Sequence, residues 1–396
     1  MRIGLIVPGG VDRSASVRVI PVLLALIERL ARRHEVFVVA INQEPQACKY
    51  NLLGAHVVNL GSAEDRPTHW GKRVGQLLSA LNSFGGGFDI LHAFWAHPPG
   101  SLAIAAGKLM GVPVMISIGG GELVWLPEIG YGGQGAWRSR VMISATLRMA
   151  TVVSAPSEYT LRPLRKVRDD AQWLPLGVDR KFFQQRTANE LAKEKRILHV
   201  ASMNQVKDQV TLMKAIRQVH DVFPNVRLDC IGVDTLDGQV QRLARDLGIS
   251  DVVRFHGVLP VNDLLPFYRQ THVYVQSSLH ESMGAAILEA SAAGIPIVGT
   301  DVGLVAEMSP KAALAVPTKD ADALARAILN LVTCEKNRAE MGQEAQKFAR
   351  TYDADWSASV LEGMYRQASH HVISAGSHRT GLKTSLPNIS SSEPGN

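Results

Sequence analysis

Residues 277–308 read SSLHESMGAAILEASAAGIPIVGTDVGLVAEM, and the fold follows from the change of period inside this stretch. Just before it, HVYVQ at 272–276 is a short β-branched and aromatic run that predicts a buried strand. A polar loop follows, Gly284 opens an alanine-rich helix that runs to Ala293, and IPIVG at 295–299 predicts the next buried strand. An apolar strand, a crossover helix and a second apolar strand make a parallel unit that is covered on both faces.

Working outward, the same alternation fills both halves of the chain. Upstream in this half it predicts strands at 196–202, 226–232 and 252–256, with helices at 206–220 and 236–247. Downstream, helices at 321–332 and 336–350 close the block. The first half predicts strands at 2–7, 35–41, 56–60, 89–93, 114–118 and 151–155, separated by helices at 14–32, 70–83, 101–110 and 137–149. Between the blocks, residues 174–194 lose periodicity, carry Pro175 and Gly177 and become highly charged, which marks a linker. The expected architecture is α/β: two Rossmann-like doubly wound domains, 1–180 and 195–350, facing a cleft where ligands sit at the carboxyl ends of strands. Trp356, Val360, Leu361 and Met364 recur at helical spacing. They predict a helix within 351–370 that crosses back to the first domain, ahead of a Ser-, Gly- and Pro-rich tail, 371–396, expected to be disordered.

Composition narrows the function classes. A chain of 396 residues with 46% hydrophobic and 20% charged content carries ordinary packed cores. Cys48, Cys230 and Cys334 are scattered and show no C-x-x-C spacing. That argues against a disulfide framework or a zinc site, predicts no metal, and fits a reducing, cytoplasmic setting. The opening MRIGLIVPGG has too short an apolar run for a secretory leader. The apolar stretch at 101–118 is broken by Lys108, Gly111 and Pro113, so no membrane span is expected. A net charge of +6 suits anionic partners such as nucleotides or lipid headgroups. Nucleic acid is not expected, because no basic-aromatic stripe or zinc module is visible. Oligomeric state leaves no trace in the sequence.

Three places can carry chemistry. At the start of the Gly284 helix, unpaired backbone N–H groups bear partial positive charge, and a residue without a side chain lets a phosphate approach them. Glu281 stands in the loop before this helix, and Glu289 lies eight positions on, among alanines and aliphatic residues. A vicinal diol such as a ribose would supply donors to Glu289, and so would a hydrogen-bond network between helices. Spacing alone leaves both readings open. In ILHVASMNQVKDQVTLMKAI, residues 197–216, a buried strand ends at Ala201 and Lys207 begins a helix. From there a lysine either reaches a diphosphate as a point charge or is simply solvated. The third place is Gly9-Gly10 after the first strand, a tight turn or a close approach to ligand, and not a G-x-G-x-x-G.

Together these residues resemble glycosyltransferase family 4, the retaining nucleotide-sugar enzymes of the GT-B fold. The most specific match is Glu281 and Glu289 with AAGIPIVGTDVG at 292–303. Weaker matches are LPLGVDRKFF at 174–183, the Lys207 loop and RHEVFVVA at 33–40. The resemblance implies that Glu289 holds ribose hydroxyls and that backbone around Ser282, Met283, Gly284 and Ala285 binds the phosphates and donor sugar. It further implies that Glu281 contacts the sugar near the reacting carbon and Lys207 neutralises the leaving diphosphate, with no metal and no cofactor beyond the nucleotide sugar. Gly257 and Val258 fall at the base-binding backbone, and Gly9 and Gly10 on the donor side. Two departures stand out. Ser202 occupies the position of a family arginine, and Gly119 of SIGGGEL, residues 117–123, that of a family histidine. His92, His97, Gly120 and Glu122 are the nearby candidates on the acceptor side, each histidine being alternatively a satisfied structural residue. The implied acceptor is a glycan, a lipid-linked or a small molecule. A basic cluster, Arg162, Arg165, Lys166 and Arg168, either meets a membrane surface peripherally or is a solvated helix face. Competing functions are a nucleotide-sugar epimerase and a binding protein that has lost catalysis.

Overall fold

The computed structural model describes residues 1–61, 70–179, 182 and 194–377, with side chains through residue 369. Its first sheet has eight strands in the order β3-β4-β2-β1-β5-β6-β7-β8. These are β1 (Arg2–Val7), β2 (Glu35–Ala40), β3 (Cys48–Leu52), β4 (Ala55–Asn59), β5 (Ile90–Phe94), β6 (Val114–Ser117), β7 (Val152–Ala155) and β8 (Gln172–Trp173). All pairings are parallel except β3 with β4. The second sheet is wholly parallel, in the order β11-β10-β9-β12-β13-β14. Its strands are β9 (Lys195–Val200), β10 (Val226–Ile231), β11 (Val253–Phe255), β12 (Val273–Gln276), β13 (Ile297–Thr300) and β14 (Ala313–Val316). The order reverses between β9 and β12, so the loops leaving these two strands diverge and open a crevice between them.

Each sheet is buried on both faces, which is why its strands read as nearly continuous apolar runs. Helices Trp70–Ser83, Ser101–Met110 and Trp137–Met149 stand at the predicted positions. The helix expected at 14–32 starts only at Pro21. Before it, the Asp12 carboxylate accepts from Ser14 N at 2.9 Å and the Arg18 guanidinium donates to Asp12 and Glu44, which holds residues 12–20 as a loop. The strand expected at 56–60 is β4, but its antiparallel partner β3 escaped the pattern because CKYNL is an edge strand with alternating polar residues. Helix Val261–Gln270 and strand β14 were likewise not predicted.

The chain passes between the two sheets twice, and the passages are joined. Leu174 and Val178 of the expected linker are buried, while 180, 181 and 183–193 lie outside the described residues. Gly177 N donates to Ser357 Oγ at 2.8 Å, Ser357 Oγ donates to Pro175 O at 2.9 Å, and Ala354 N donates to Val178 O at 3.1 Å. Ser357 belongs to the last helix, Ala354–Ser377, whose Ala358, Leu361, Met364, Tyr365 and Ala368 complete the core of the first domain. The helix continues past residue 371, where the tail was expected to begin; no Pro or Gly occurs between Gly363 and Gly376. Residues 378–396 of that tail lie outside the described residues.

His92, fully buried on β5, is held between Tyr365 OH at 2.6 Å and Ser117 Oγ at 2.8 Å, and burial pushes its pKa down to about 3. His199 on β9 is likewise buried and pushed down to about 4. Both stay neutral in the folded chain while the unfolded chain takes up their protons below about pH 6.5. Stability therefore falls as pH drops from about 6.5 towards 4, by on the order of 1 kcal/mol per pH unit for each histidine. Urea midpoints measured across that window check it. A flat profile would contradict it.

Candidate active site

A cavity of about 720 Å³ opens between the two sheets at the carboxyl ends of their strands. On the second domain it is bounded by the loops after β9 and β12, the two sides of the switch point. The β9 loop ends in a short turn, Gln205–Lys207, where Asn204 Oδ1 accepts from Lys207 N at 3.2 Å. The β12 loop is tied to it: Ser277 Oγ donates to Lys207 O at 2.8 Å, and Leu279 N donates to Val206 O at 2.8 Å. These bonds bring Lys207 against Glu281, 74 residues away in sequence, in a hydrogen-bonded ion pair. Gln276 Nε2 and Ser278 Oγ also donate to the same Glu281 oxygen, each at 2.7 Å. Burial pushes the Glu281 carboxyl up, but Lys207 and Ser278 outweigh it and hold the pKa below its ordinary value. The carboxylate is thus ionised and fixed, and it aims the ammonium that it pairs with.

Gly284 has φ +88° and precedes the helix Ala285–Ala292, whose first turn has no side-chain cap. A Cβ there would lie 2.5 Å from Ile287 Cδ1, so the conformation and the space both require glycine. The helix presents its first amides to the cavity, which Met283, Gly284, Ala285 and Ala286 line. Glu289, on the same helix, also lines it and accepts from Tyr268 OH at 2.6 Å. Tyr268 is the network partner that spacing alone could not supply, and the carboxylate still borders the cavity. The structure thus brings Lys207, Ser202, Glu281, Glu289, Met283, Gly284, Ala285 and Val258 around one space, with Gly119 on the opposite wall.

Other predicted residues lie behind that wall. Gly9 and Gly10 do not line the cavity; Gly10 gives room to Ile20, whose Cγ1 would be 2.5 Å from a Cβ, and Ile20 with its neighbours lines the space instead. Ser282 is turned to the first domain, its carbonyl accepting from Ser157 Oγ at 2.6 Å and Thr160 Oγ1 at 2.9 Å. Gly257 O accepts from Gly232 N at 2.9 Å, so it supports β10 rather than the cavity. Glu122 is buried, and its carboxylate accepts from the backbone N–H groups of Gly120 at 2.7 Å, Gly119 at 3.3 Å and Ala96 at 3.3 Å. It holds the loop after β6 without lining the cavity, and burial raises its pKa despite those bonds. His97 binds Ser101 Oγ at 3.0 Å, and burial lowers its pKa. His97, His92 and Gly120 all lie outside the lining.

Sequence reasoning missed Trp95, whose φ of +72° swings the indole into the cavity. A Cβ on Gly120 would sit 2.8 Å from Trp95 Nε1, and one on Gly119 3.5 Å from Cε2. Gly120 of SIGGGEL therefore makes room for this ring, whereas a Cβ on Gly119 would only touch it. Arg18 was missed too; it lines the cavity from the first domain, although its guanidinium is engaged by Asp12 and Glu44. Gln276 and Ser278, two and four places after Tyr274, were legible only as polar residues closing an apolar strand. Among the described residues no cluster of His, Cys, Asp and Glu has the arrangement of a metal site.

Comparison with known proteins bears on the family and the fold. Residues 181–348 match the family model described as "Glycosyl transferases group 1", and residues 19–173 match "Glycosyl transferase 4-like domain". The GDP-mannose-dependent monoacylated alpha-(1-6)-phosphatidylinositol monomannoside mannosyltransferase of Corynebacterium glutamicum is 26% identical over 292 residues, 68% of this chain and 73% of that protein. The D-inositol 3-phosphate glycosyltransferase of Corynebacterium jeikeium is 31% identical over 184 residues, 44% of each chain, so the match spans less than half of that relative. Among solved structures, sucrose-phosphate synthase from Thermosynechococcus elongatus superposes with a TM-score of 0.78 at 19% identity, covering 93% of this chain and 99% of that one. Anabaena HepE in complex with UDP and glucose gives 0.73 at 14% identity, covering 93% and 100%. The two family models together take in most of both domains, and the chain belongs to the glycosyltransferases of family 4 type with the GT-B fold.

Proposed function

We propose that this glycosyltransferase transfers a sugar from a nucleoside-diphosphate sugar with retention of configuration, to an acceptor carrying a cyclitol or sugar hydroxyl. The observation that carries the donor half is one cavity holding the Lys207–Glu281 pair, the uncapped helix start at Gly284 and the Glu289 carboxylate. A diphosphate fits between the ammonium and the amides, and a ribose diol fits Glu289. As the glycosidic bond breaks, negative charge grows on the leaving diphosphate. Lys207 and the helix amides are already oriented to receive it, so this reading assigns that charge to them rather than to a metal ion. Glu281 acts here by fixing Lys207 and by bordering the donor sugar. The acceptor reading takes its support from the relatives' names, a phosphatidylinositol mannoside mannosyltransferase and inositol-phosphate glycosyltransferases. Three free cysteines support a reducing, cytoplasmic location.

The test incubates the enzyme with GDP- and UDP-sugars, with and without inositol phosphate, and follows the anomeric configuration of the product by NMR. Transfer with the donor's own configuration supports the proposal. An inverted product overturns retention, and acceptor-independent conversion of the donor identifies an epimerase.

Replacing Glu289 is expected to weaken nucleotide affinity about ten- to a hundredfold, the size of a lost hydrogen bond to a charged group. Glu289→Gln keeps an acceptor for Tyr268, whereas Glu289→Ala does not. Calorimetry on both, beside melting temperatures, separates ligand contact from support of Tyr268. Unchanged affinity in both variants would remove Glu289 from the donor site.

A further inference from the structure

Large hydrophobic side chains left in water gather on one side of the first domain. Leu109, Trp125, Trp137, Val141, Met142 and Met149 are all exposed, with Trp137 at 63%, Val141 at 60% and Leu109 at 69%. Four of them lie on the helix Trp137–Met149, at spacings that share one face, while Ile143, Thr146 and Leu147 on its other face are buried in the core. Leu109 ends the neighbouring helix, whose Lys108 Nζ reaches Met149 Sδ at 3.1 Å. Trp125 packs over Gly135, where a Cβ would lie 2.4 Å from its ring, just ahead of Trp137. The strip is therefore continuous over the length of a helix of 13 residues, about 20 Å.

The same face is basic. Arg138, Arg140 and Arg148 are exposed on this helix, and no Asp or Glu occurs between Glu128 and Glu158. Glu128 itself pairs with Lys319 at 2.7 Å. The Arg138 guanidinium lies over the Trp137 ring, 5.5 Å from its centroid. Contiguous apolar side chains rimmed by cations mark an interaction surface. A second copy of this chain fits it poorly, because a two-fold contact would set these arginines against one another. An anionic lipid surface fits: tryptophans at headgroup level, aliphatic side chains at the acyl boundary and arginines on the phosphates.

We propose that the face formed by helix Trp137–Met149, with Trp125 and Leu109, docks this enzyme on an anionic membrane. The proposal does not use the cluster Arg162, Arg165, Lys166 and Arg168, in which Arg165 pairs with Glu158 and Arg168 with Asp170. Trp137 opens its helix after the loop leaving β6, whose Ile118 and Gly119 line the donor–acceptor cavity. An acceptor still held in the bilayer would thus enter the cleft beside the docked face. The proposal deepens the acceptor reading above but is tested without acceptor or sugar.

The experiment sediments the full chain with phosphatidylcholine vesicles and with vesicles containing one part in three phosphatidylglycerol, at low and high salt. Two multiple variants, Arg138→Gln/Arg140→Gln/Arg148→Gln and Trp137→Ser/Val141→Ser, are run beside the wild type. Expected is binding to the anionic vesicles only, weakened by salt and reduced about tenfold or more in each variant. The substituted side chains are exposed, and melting temperature and nucleotide affinity measured on the same samples are expected to be unchanged. That second readout separates failure of docking from failure of the donor site. Equal binding to neutral vesicles, no binding at all, variants that bind like the wild type, or a wild-type dimer dissolved by Trp137→Ser/Val141→Ser would each overturn the proposal.

Discussion

Lys207→Ala is expected to lower kcat by about two to three orders of magnitude while changing the donor KM far less. In the proposed donor site the ammonium would face a diphosphate whose charge rises as the sugar departs, so its contribution would be larger in the transition state than in the bound donor. Removal of one fixed donor in a partly desolvated site costs about 2–4 kcal/mol, which sets the expected fall. The variant also strips Glu281 of its cation. In the native site that carboxyl is held below its ordinary value, so the ion pair is intact above the unfolded-state pKa and is lost only as pH falls through the lowered one. Without Lys207 burial prevails and the carboxyl's pKa rises. The acid limb of the kcat profile should therefore move to higher pH in Lys207→Ala. Steady-state rates from pH 5 to 9 check both points. A kcat within a few-fold of wild type would leave Lys207 as an ordinary surface lysine.

The second large effect lies far from the cavity. A Cβ placed on Gly177 would fall 2.1 Å from the carbonyl carbon of Asp353 and 2.3 Å from the carbonyl oxygens of Asp353 and Tyr352. All three are backbone atoms, so no rotamer change relieves the overlap. Gly177→Ala must push apart the two passages between the domains and break the bond from its N–H to Ser357. The expected loss is about 3 kcal/mol or more, at the upper end for an overpacked site. For domains of this size that is a fall in Tm of about 6 °C or more. Differential scanning calorimetry measures it. A Tm within 2 °C of wild type would mean that the two passages part without cost. Ser357→Ala, which removes only the hydroxyl between them, should lose less.

The parts of this molecule that were legible in its sequence are those whose signal is periodic or punctuated. The buried strands of both sheets, the helices at 70–83, 101–110 and 137–149 and the Glu281–Glu289 constellation announce themselves by apolar runs, by period and by Gly284. What the sequence concealed depends on partners far along the chain. Tyr268 receives its role from Glu289, and Trp95 its space from Gly120, more than twenty positions downstream, so neither has a local mark. The loop at 12–20 looked helical because its residues permit a helix; Asp12, Glu44 and the conformation of Arg18 hold it otherwise. Gly9 and Gly10 misled for a related reason. A glycine pair after a strand predicts a close approach, and the approaching groups belong to the chain itself, Ile20 against Gly10 and Gln43 against Gly9. The docking face was hidden because it joins Leu109 and Trp125 to a helix that begins twelve residues after Trp125 and twenty-eight after Leu109.

The partnership of His92 with Tyr365 spans 273 residues, and the helix that supplies Tyr365 also completes the first domain's core. On the ribosome, then, the domain made first cannot finish first. Its sheet is fully synthesised near residue 173, yet one face stays uncovered until the chain is extended almost to its end. At roughly 5–20 residues per second that interval is on the order of 10–40 s. Through it the apolar residues that await Ala358, Leu361 and Tyr365 are open to chaperones and to other nascent chains. Meanwhile the second domain, whose sheet closes on its own helices, can fold ahead of the one that precedes it. A stalled or truncated product ending before Asp353 would therefore carry a folded second domain beside an unfinished first one, and clearance of such products should track exposure of the β1–β5 face rather than any damage at the cavity.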